Sequence, residues 1–348
     1  MIRSKKVKLV SFNKLPYYFS VLFISFCFLI SIFCYFIIPD KTANANTMNL
    51  SIQSMKPGFS VRMLTVPNFE TKTLKSFFFG LNKPLEQYPI NDYWFSNDSI
   101  NIKLFNKFKE PNEIKSFPLS VFEMSIDSNV LNNVQIIRDK ISNKYITQHK
   151  FNFGTDLYGR DLFSRVLLGT RVSLSIGIMA VIISTFLGLF FGSLGGYYGG
   201  IVDKIVVYII NVFWSIPTLL LVIAISLSLG KGFWQVYIAI GFSVWVDVAR
   251  LVRGKVISEK NKDYISASRI LGFNNLYIIS YHIIPNILGP LLIIAAANFA
   301  SSILLESGLS FLGIGTQPPL PSWGYMIKEN YQYIILGNAY LALIPAIF

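Results

Sequence analysis

The chain has 348 residues, 53% of them hydrophobic and 14% charged, with a formal net charge of +13 at pH 7. This balance is too apolar for an ordinary soluble enzyme, and the hydrophobic residues gather into stretches of about 20, the length that crosses a hydrocarbon core of roughly 30 Å. Nucleic acid is excluded as a partner by the placement of the basic residues, which lie largely where the positive-inside rule puts them beside a lipid bilayer.

The first apolar run, YYFSVLFISFCFLISIFCYFII at 17–38, follows Arg3, Lys5, Lys6, Lys8 and Lys14. A cleavable signal has a core of about 7 to 15 residues ending at small side chains. This run is longer and leads into Pro39 and Asp40. It is predicted to be an uncleaved span, with residues 1–16 in the cytoplasm. Cys27 and Cys34 both fall inside it, about 10 Å apart in a helix and so beyond disulfide reach. They are read as packing residues.

Residues 39–152 then lie outside the membrane. GFSVRMLTV from Gly58 and SINIKLF from Ser99 alternate with the period of a half-buried strand. NVQIIRDKISNKYIT from Asn133 is read as continuing a small sheet. Phe, Ile and Tyr are too frequent here for disorder, so a small, β-rich extracytoplasmic insertion is expected between spans one and two.

Residues 153–348 form the predicted membrane core. Four more spans are expected at 172–191, 205–229, 233–252 and 287–305. A sixth begins near Ala339, where AYLALIPAIF supplies about 15 Å of helix, so the sixth span is expected to be incomplete. Alternation places 192–204 and 253–286 in the cytoplasm, and 230–232 and 306–338 outside. Arg250, Arg253, Lys255, Lys260, Lys262 and Arg269 mark the inner side.

From the end of the second span onward, Gly188, Gly192, Gly196 and Gly200 recur every four residues, which puts them on one face while the helix persists and lets another backbone approach closely. A phosphate-cradling loop would need a Lys-Ser/Thr ending or a preceding strand, and neither is present. His149 and His282 are predicted on opposite sides of the membrane, so they cannot share a metal or a triad. Without a nucleophile and base pair, no catalytic site and no cofactor is assigned to this chain. Asp247 and Arg250 are three apart and are read as an ion pair on one helical face. Glu306, at the outer end of the fifth span, either lines a cavity or reaches the interface.

The most patterned polar segment is KDYISASRILGFNNLYIISYHIIPN, residues 262–286. After Asp263, the residues Tyr264, Ala267 and Leu271 share a helical face, and Ser266, Ser268 and Arg269 extend around it. Gly272 permits a sharp reversal, Asn274 or Asn275 can cap a second short helix, and Pro285 suits the first turn of the next span. Two short helices should therefore project on the cytoplasmic side. They would either dock to another protein or lie on the headgroups.

At these residues the chain resembles the inner-membrane permease subunits of binding-protein-dependent ABC importers, whose loop reads EAA, three residues, Gly, and then an I-x-L-P ending. Ser266, Ala267 and Ser268 stand at the EAA positions, Gly272 at the glycine, and HIIP at 282–285 closes the loop, with Ser in place of the family's Glu. FGTDLYGRDLFSRVLLGTRVSLSIG from Phe153, GGYYGGIVD from Gly195, IPTLLL from Ile216, ARLVRGKVIS from Ala249 and LSFLGIGTQPPLPSWGYMI from Leu309 look like the second permease of dipeptide and oligopeptide importers. The resemblance implies an all-α polytopic membrane bundle, the type I ABC importer transmembrane domain, carrying the β-rich insertion. It also implies a homologous permease subunit, an extracytoplasmic solute-binding protein and two cytoplasmic ATPase subunits that bind ATP and Mg. The loop would couple to those ATPases. The alternatives are another cargo, such as nickel or a glycoside, and a membrane-anchored receptor or assembly factor acting through its outer domain.

Overall fold

The computed structural model describes residues 15–67, 78–81, 86–107, 113–123, 134–230 and 232–348. The reading of the basic N-terminal segment as cytoplasmic falls on 1–14, outside the described residues. Helix α1 (Leu15–Ile37) is exposed along most of its length and buries only Ile30, Cys34 and Tyr35, with Ile38 just beyond it, against Leu167 and Leu168. Cys27 and Cys34 are both free thiols.

Beyond α1 comes an antiparallel sheet of β1 (Phe59–Val66), β2 (Glu86–Phe95), β3 (Ser99–Leu104), β4 (Ile114–Pro118) and β5 (Ile146–Phe151), in the order β4-β3-β2-β1-β5. The two alternating segments are β1 and β3. The stretch from Asn133 departs from expectation: Val134–Lys140 is helical, Ile141–Tyr145 is a π-helical turn, and only its end enters β5. Ile137, Ile141 and Tyr145 recur every four residues, and that face buries itself on the sheet beside Phe122, Ile100 and Ile102. The covering helices are α2 (Ser120–Glu123) and α3 (Val134–Lys140). Strand β2 was not foreseen because Pro89, Asn91 and Asp92 are poor strand formers. The sheet tolerates them through a register shift between Ile90 and Asp92.

The bundle comprises α4 (Leu162–Tyr198), α5 (Gly200–Trp214), α6 (Thr218–Leu229), α7 (Phe233–Lys260), the short α8 (Asp263–Ile270), α9 (Asn275–Leu312), α10 (Trp323–Asn330) and α11 (Tyr340–Ile347). Among the described residues, α1, α4, α7 and α9 are each long and apolar enough to cross a membrane, and α5 with α6 reaches that length and apolarity only as a bent pair, a broken span or a re-entrant loop. The chain is a multi-pass membrane protein. The third span is not the continuous helix expected at 205–229: it breaks at Ser215–Pro217 and turns through 91°. Pro217 has no N–H for the ladder, and its ring clashes with a continuing helix.

The bundle is organised by the glycine ladder on α4. A Cβ at Gly188 would stand 2.4 Å from Val248 Cβ, one at Gly192 would stand 2.7 Å from Ala249 O, and one at Gly196 would stand 2.8 Å from Arg253 O. The absence of side chains thus lets α4 and α7 run in parallel with backbones in near contact. Gly200 leaves the ladder, since it takes a φ of +57° and its missing Cβ faces open space.

At the sheet end, Asp161 caps α4 by accepting from Ser164 N. Just before it, Arg160 Nε lies 2.5 Å from Asp156 Oδ2, and Arg160 Nη2 lies 3.2 Å from Glu329 Oε2 on α10. Arg165, 1% exposed, points into the same knot. Tyr325 donates to Glu329 at 2.9 Å, and burial beside that carboxylate pushes its hydroxyl pKa up to about 12. Tyr340 Oη donates to Met55 O at 2.9 Å, tying α11 to the segment leading into the sheet. Glu306 does not reach an interface. It is fully buried, accepts from Ser310 Oγ at 2.6 Å and Thr316 Oγ1 at 3.2 Å, and is covered by the turn after α9.

Candidate functional site

The far end of α4 meets the 262–286 segment. At 1.5 Å per residue, the 37 residues of α4 separate this end from the sheet by about 55 Å. Helix α8 forms where Asp263 sits in the first turn and Arg269 in the last, both in favourable positions for the helix dipole. It stops at Gly272, whose φ of +84° allows the N–H groups of Leu271, Gly272 and Phe273 to close on the carbonyls of Ala267, Arg269 and Ser268. Asn274 then caps α9 by accepting from Tyr277 N at 2.7 Å.

No separate second helix follows. The segment after Asn274 runs through a π-helical turn at Ile278–Ile283 directly into the span, giving one helix over Asn275–Leu312. Pro285 is exposed and stands in the first turn of the α-helical stretch that begins at Ile284, after the π-helical turn. The single wide turn at 278–283 keeps the chain helical between the short helix capped by Asn274 and the span.

Of the predicted loop residues, Asp263, Tyr264, Ser266, Ala267, Arg269, Leu271 and Gly272 are exposed, while Ser268 is buried. Ile265, fully buried, pins α8 against Val252, Val256, Ile278 and Ile283. The outward crest is strongly apolar, with Ile270 86%, Leu271 74%, Leu276 68% and Phe273 42% exposed.

Polar fasteners that the sequence did not reveal hold this crest at its base. Tyr264 Oη donates to Glu259 Oε2 at 2.6 Å and accepts from Asn286 Nδ2 at 3.1 Å, bridging α7 and α9. Partial burial and the Glu259 carboxylate raise the Tyr264 pKa above its ordinary value, so the hydroxyl stays a donor. Lys262 pairs with Glu259 at 2.7 Å. Tyr197, at the end of α4, donates to Asn275 Oδ1 at 2.8 Å, and the cations of Arg269 and Lys260 lie 5.3 and 5.8 Å from its ring centre. These partners come from four elements, so no local spacing could have announced them. Tyr197→Phe should lower stability by about 0.5–1.5 kcal/mol through the lost hydrogen bond. Tyr197→Ala should cost about 3–5 kcal/mol. Thermal unfolding in detergent checks both, and equal melting of the two variants would refute the packing role of the ring.

The expected Asp247–Arg250 pair does not form. The Arg250 guanidinium lies instead 3.6 Å from the ring centre of Trp214, at the end of α5. A planar aromatic face on the neighbouring helix suits a guanidinium, whereas the carboxylate one turn away on the same helix is not engaged. The ion pair between these helices is Arg253–Asp203, at 2.5 Å. Among the described residues no three His, Cys, Asp or Glu side chains gather where a metal ion could be held.

Residues 172–348 match the family model described as binding-protein-dependent transport system inner membrane component. The dipeptide transport system permease protein DppC of Bacillus subtilis (strain 168) is 35% identical over 231 residues, 66% of this chain and 72% of the relative. The oligopeptide transport system permease protein OppC of the same organism is 38% identical over 178 residues, 51% of this chain and 58% of that relative. A chain of the MetNI methionine ABC transporter in an inward facing conformation aligns at 20% identity and a TM-score of 0.44, covering 53% of this chain and 87% of that one. With half its length matched by the family model and with relatives of this similarity, the chain belongs to the inner membrane components of binding-protein-dependent transport systems.

Proposed function

We propose that this chain is one of two permease subunits of an ATP-driven importer for dipeptides or oligopeptides. It forms half of the pathway, and two separate ATPase subunits bind ATP and Mg and carry out hydrolysis. The named relatives support the peptide cargo, and a family defined by binding-protein dependence supports an extracytoplasmic solute-binding protein as donor. The α8 crest faces the cytoplasm and seats in an ATPase. The sheet, at the opposite end of α4, faces outward, and the N-terminus is cytoplasmic.

The observation that carries the docking role is the exposed apolar crest of Ile270, Leu271 and Leu276 on a base fixed by Ile265, Tyr264 and Tyr197. An apolar surface this prominent on a rigid mount fits a protein cleft, and a rigid mount transmits displacement into the spans. Leu271→Asp should reduce recovery of the ATPase subunits with the permease about tenfold or more, because burying one leucine contributes about 1.5–3 kcal/mol. Undiminished recovery would argue against docking at this crest. Uptake of labelled Ala-Ala by the complete importer, set beside nickel and a glycoside, tests the cargo.

A further inference from the structure

Asp247 stands at the middle of the 28-residue α7, and Arg250 lies one turn further on. Both are exposed on this chain, while Val244, Trp245, Val246, Val248 and Ala249 between and around them are buried. Neither makes an ion pair with another described residue. Both charges lie toward the inner end of the span, where a carboxylate facing hydrocarbon is still costly, so this face belongs to protein or to water.

A second feature of the same surface leads to the same conclusion. Trp214, 61% exposed, lies under the Arg250 guanidinium, and every residue from 214 to 220, including the non-helical break, is exposed. Irregular backbone within a span is tolerated only where protein covers it or where it lines a water-filled cavity.

We propose that Asp247 and Arg250 form a binding site for the peptide main chain on the translocation pathway. The carboxylate receives the α-ammonium group, and the guanidinium, held flat by Trp214, receives the α-carboxylate. Opposite charges one turn apart that do not neutralise each other are each left available to one end of a zwitterion. A cation or a neutral sugar would engage at most half of the arrangement. Charges one helical turn apart match the span of a dipeptide's two termini, and recognition of the termini alone leaves its side chains unread. The inference rests on the peptide reading above and adds a site to it.

The test uses the complete importer in proteoliposomes with labelled Ala-Ala. Asp247→Asn and Arg250→Gln should each lower uptake about tenfold with assembly unchanged, the loss of one charge-assisted contact. Asp247→Glu and Arg250→Lys should restore most of it. A cysteine introduced by Asp247→Cys, with Cys27→Ser and Cys34→Ser, should react with a charged thiol reagent and be protected by Ala-Ala. Full uptake in the neutral variants, loss of the partner permease from them, or no thiol labelling would each overturn the site. Failure of the unaltered importer to carry Ala-Ala would instead overturn the peptide reading itself.

Discussion

Gly192→Leu is expected to eliminate folded protein, and Gly192→Ala to cost about 1–3 kcal/mol. A Cβ at this position would meet Ala249 O at 2.7 Å and Val252 Cβ at 2.8 Å. The first of these is backbone, so no rotamer change on α7 relieves it. The helices must separate, and the contacts above and below, at Gly188 and Gly196, separate with them. Gly289→Ala is the matched control: it lies within α9, and nothing stands within 4 Å of the added methyl. There the better helix propensity of alanine, about 1 kcal/mol, should leave the protein as stable or more so. Melting in detergent compares the two. If Gly192→Ala melts no lower than Gly289→Ala, the close approach of α4 and α7 is not what holds the bundle.

Gly272→Ile should abolish coupled transport while leaving the spans folded. The added side chain has room, since nothing lies within 4 Å of a Cβ there, so the whole penalty comes from a φ of +84°. A β-branched residue is an outlier in that region, and asparagine enters it readily. ATPase recovery and uptake should therefore fall in the order Gly, Asn, Ala, Ile. With about 1–3 kcal/mol of backbone strain at stake, the isoleucine variant should lose about tenfold or more in association. Retention of coupling by Ile, or failure of Asn and Ile alike, would mean that the left-handed turn is not the feature the motor reads.

The periodicities that survive from sequence to structure are those set by a single element. The four-residue glycine spacing on α4 and the alternation in β1 and β3 report directly on one face of one helix or strand. Where two elements decide the outcome, the sequence misled. Three-residue spacing suggested that Asp247 and Arg250 would pair, but Trp214, 36 positions before Arg250, captured the guanidinium. Hydropathy merged α5 and α6 into one span because a single proline barely alters the apolar character of a 25-residue stretch. Ile137, Ile141 and Tyr145 have helical four-residue spacing, but the β-branched and aromatic residues around them read as strand. In the loop, Gly272 and Asn274 were legible because turn and cap chemistry is local. Tyr197 and Glu259, which fix the loop's base, act from other helices and gave no sign of it.

Helix α4 is fastened at both extremities, by the Asp156–Arg160–Glu329 knot at one and by Tyr197 at the other. Over its 37 residues α4 carries no proline and no break, the causes of sharp kinks in a helix. If an ATPase docks at the α8 crest as proposed, a push there would be carried along α4 to the mouth of the bundle as tilt or rotation of one piece. One continuous stretch of backbone, Leu162–Tyr198, joins the sheet end of the bundle to the base of the crest.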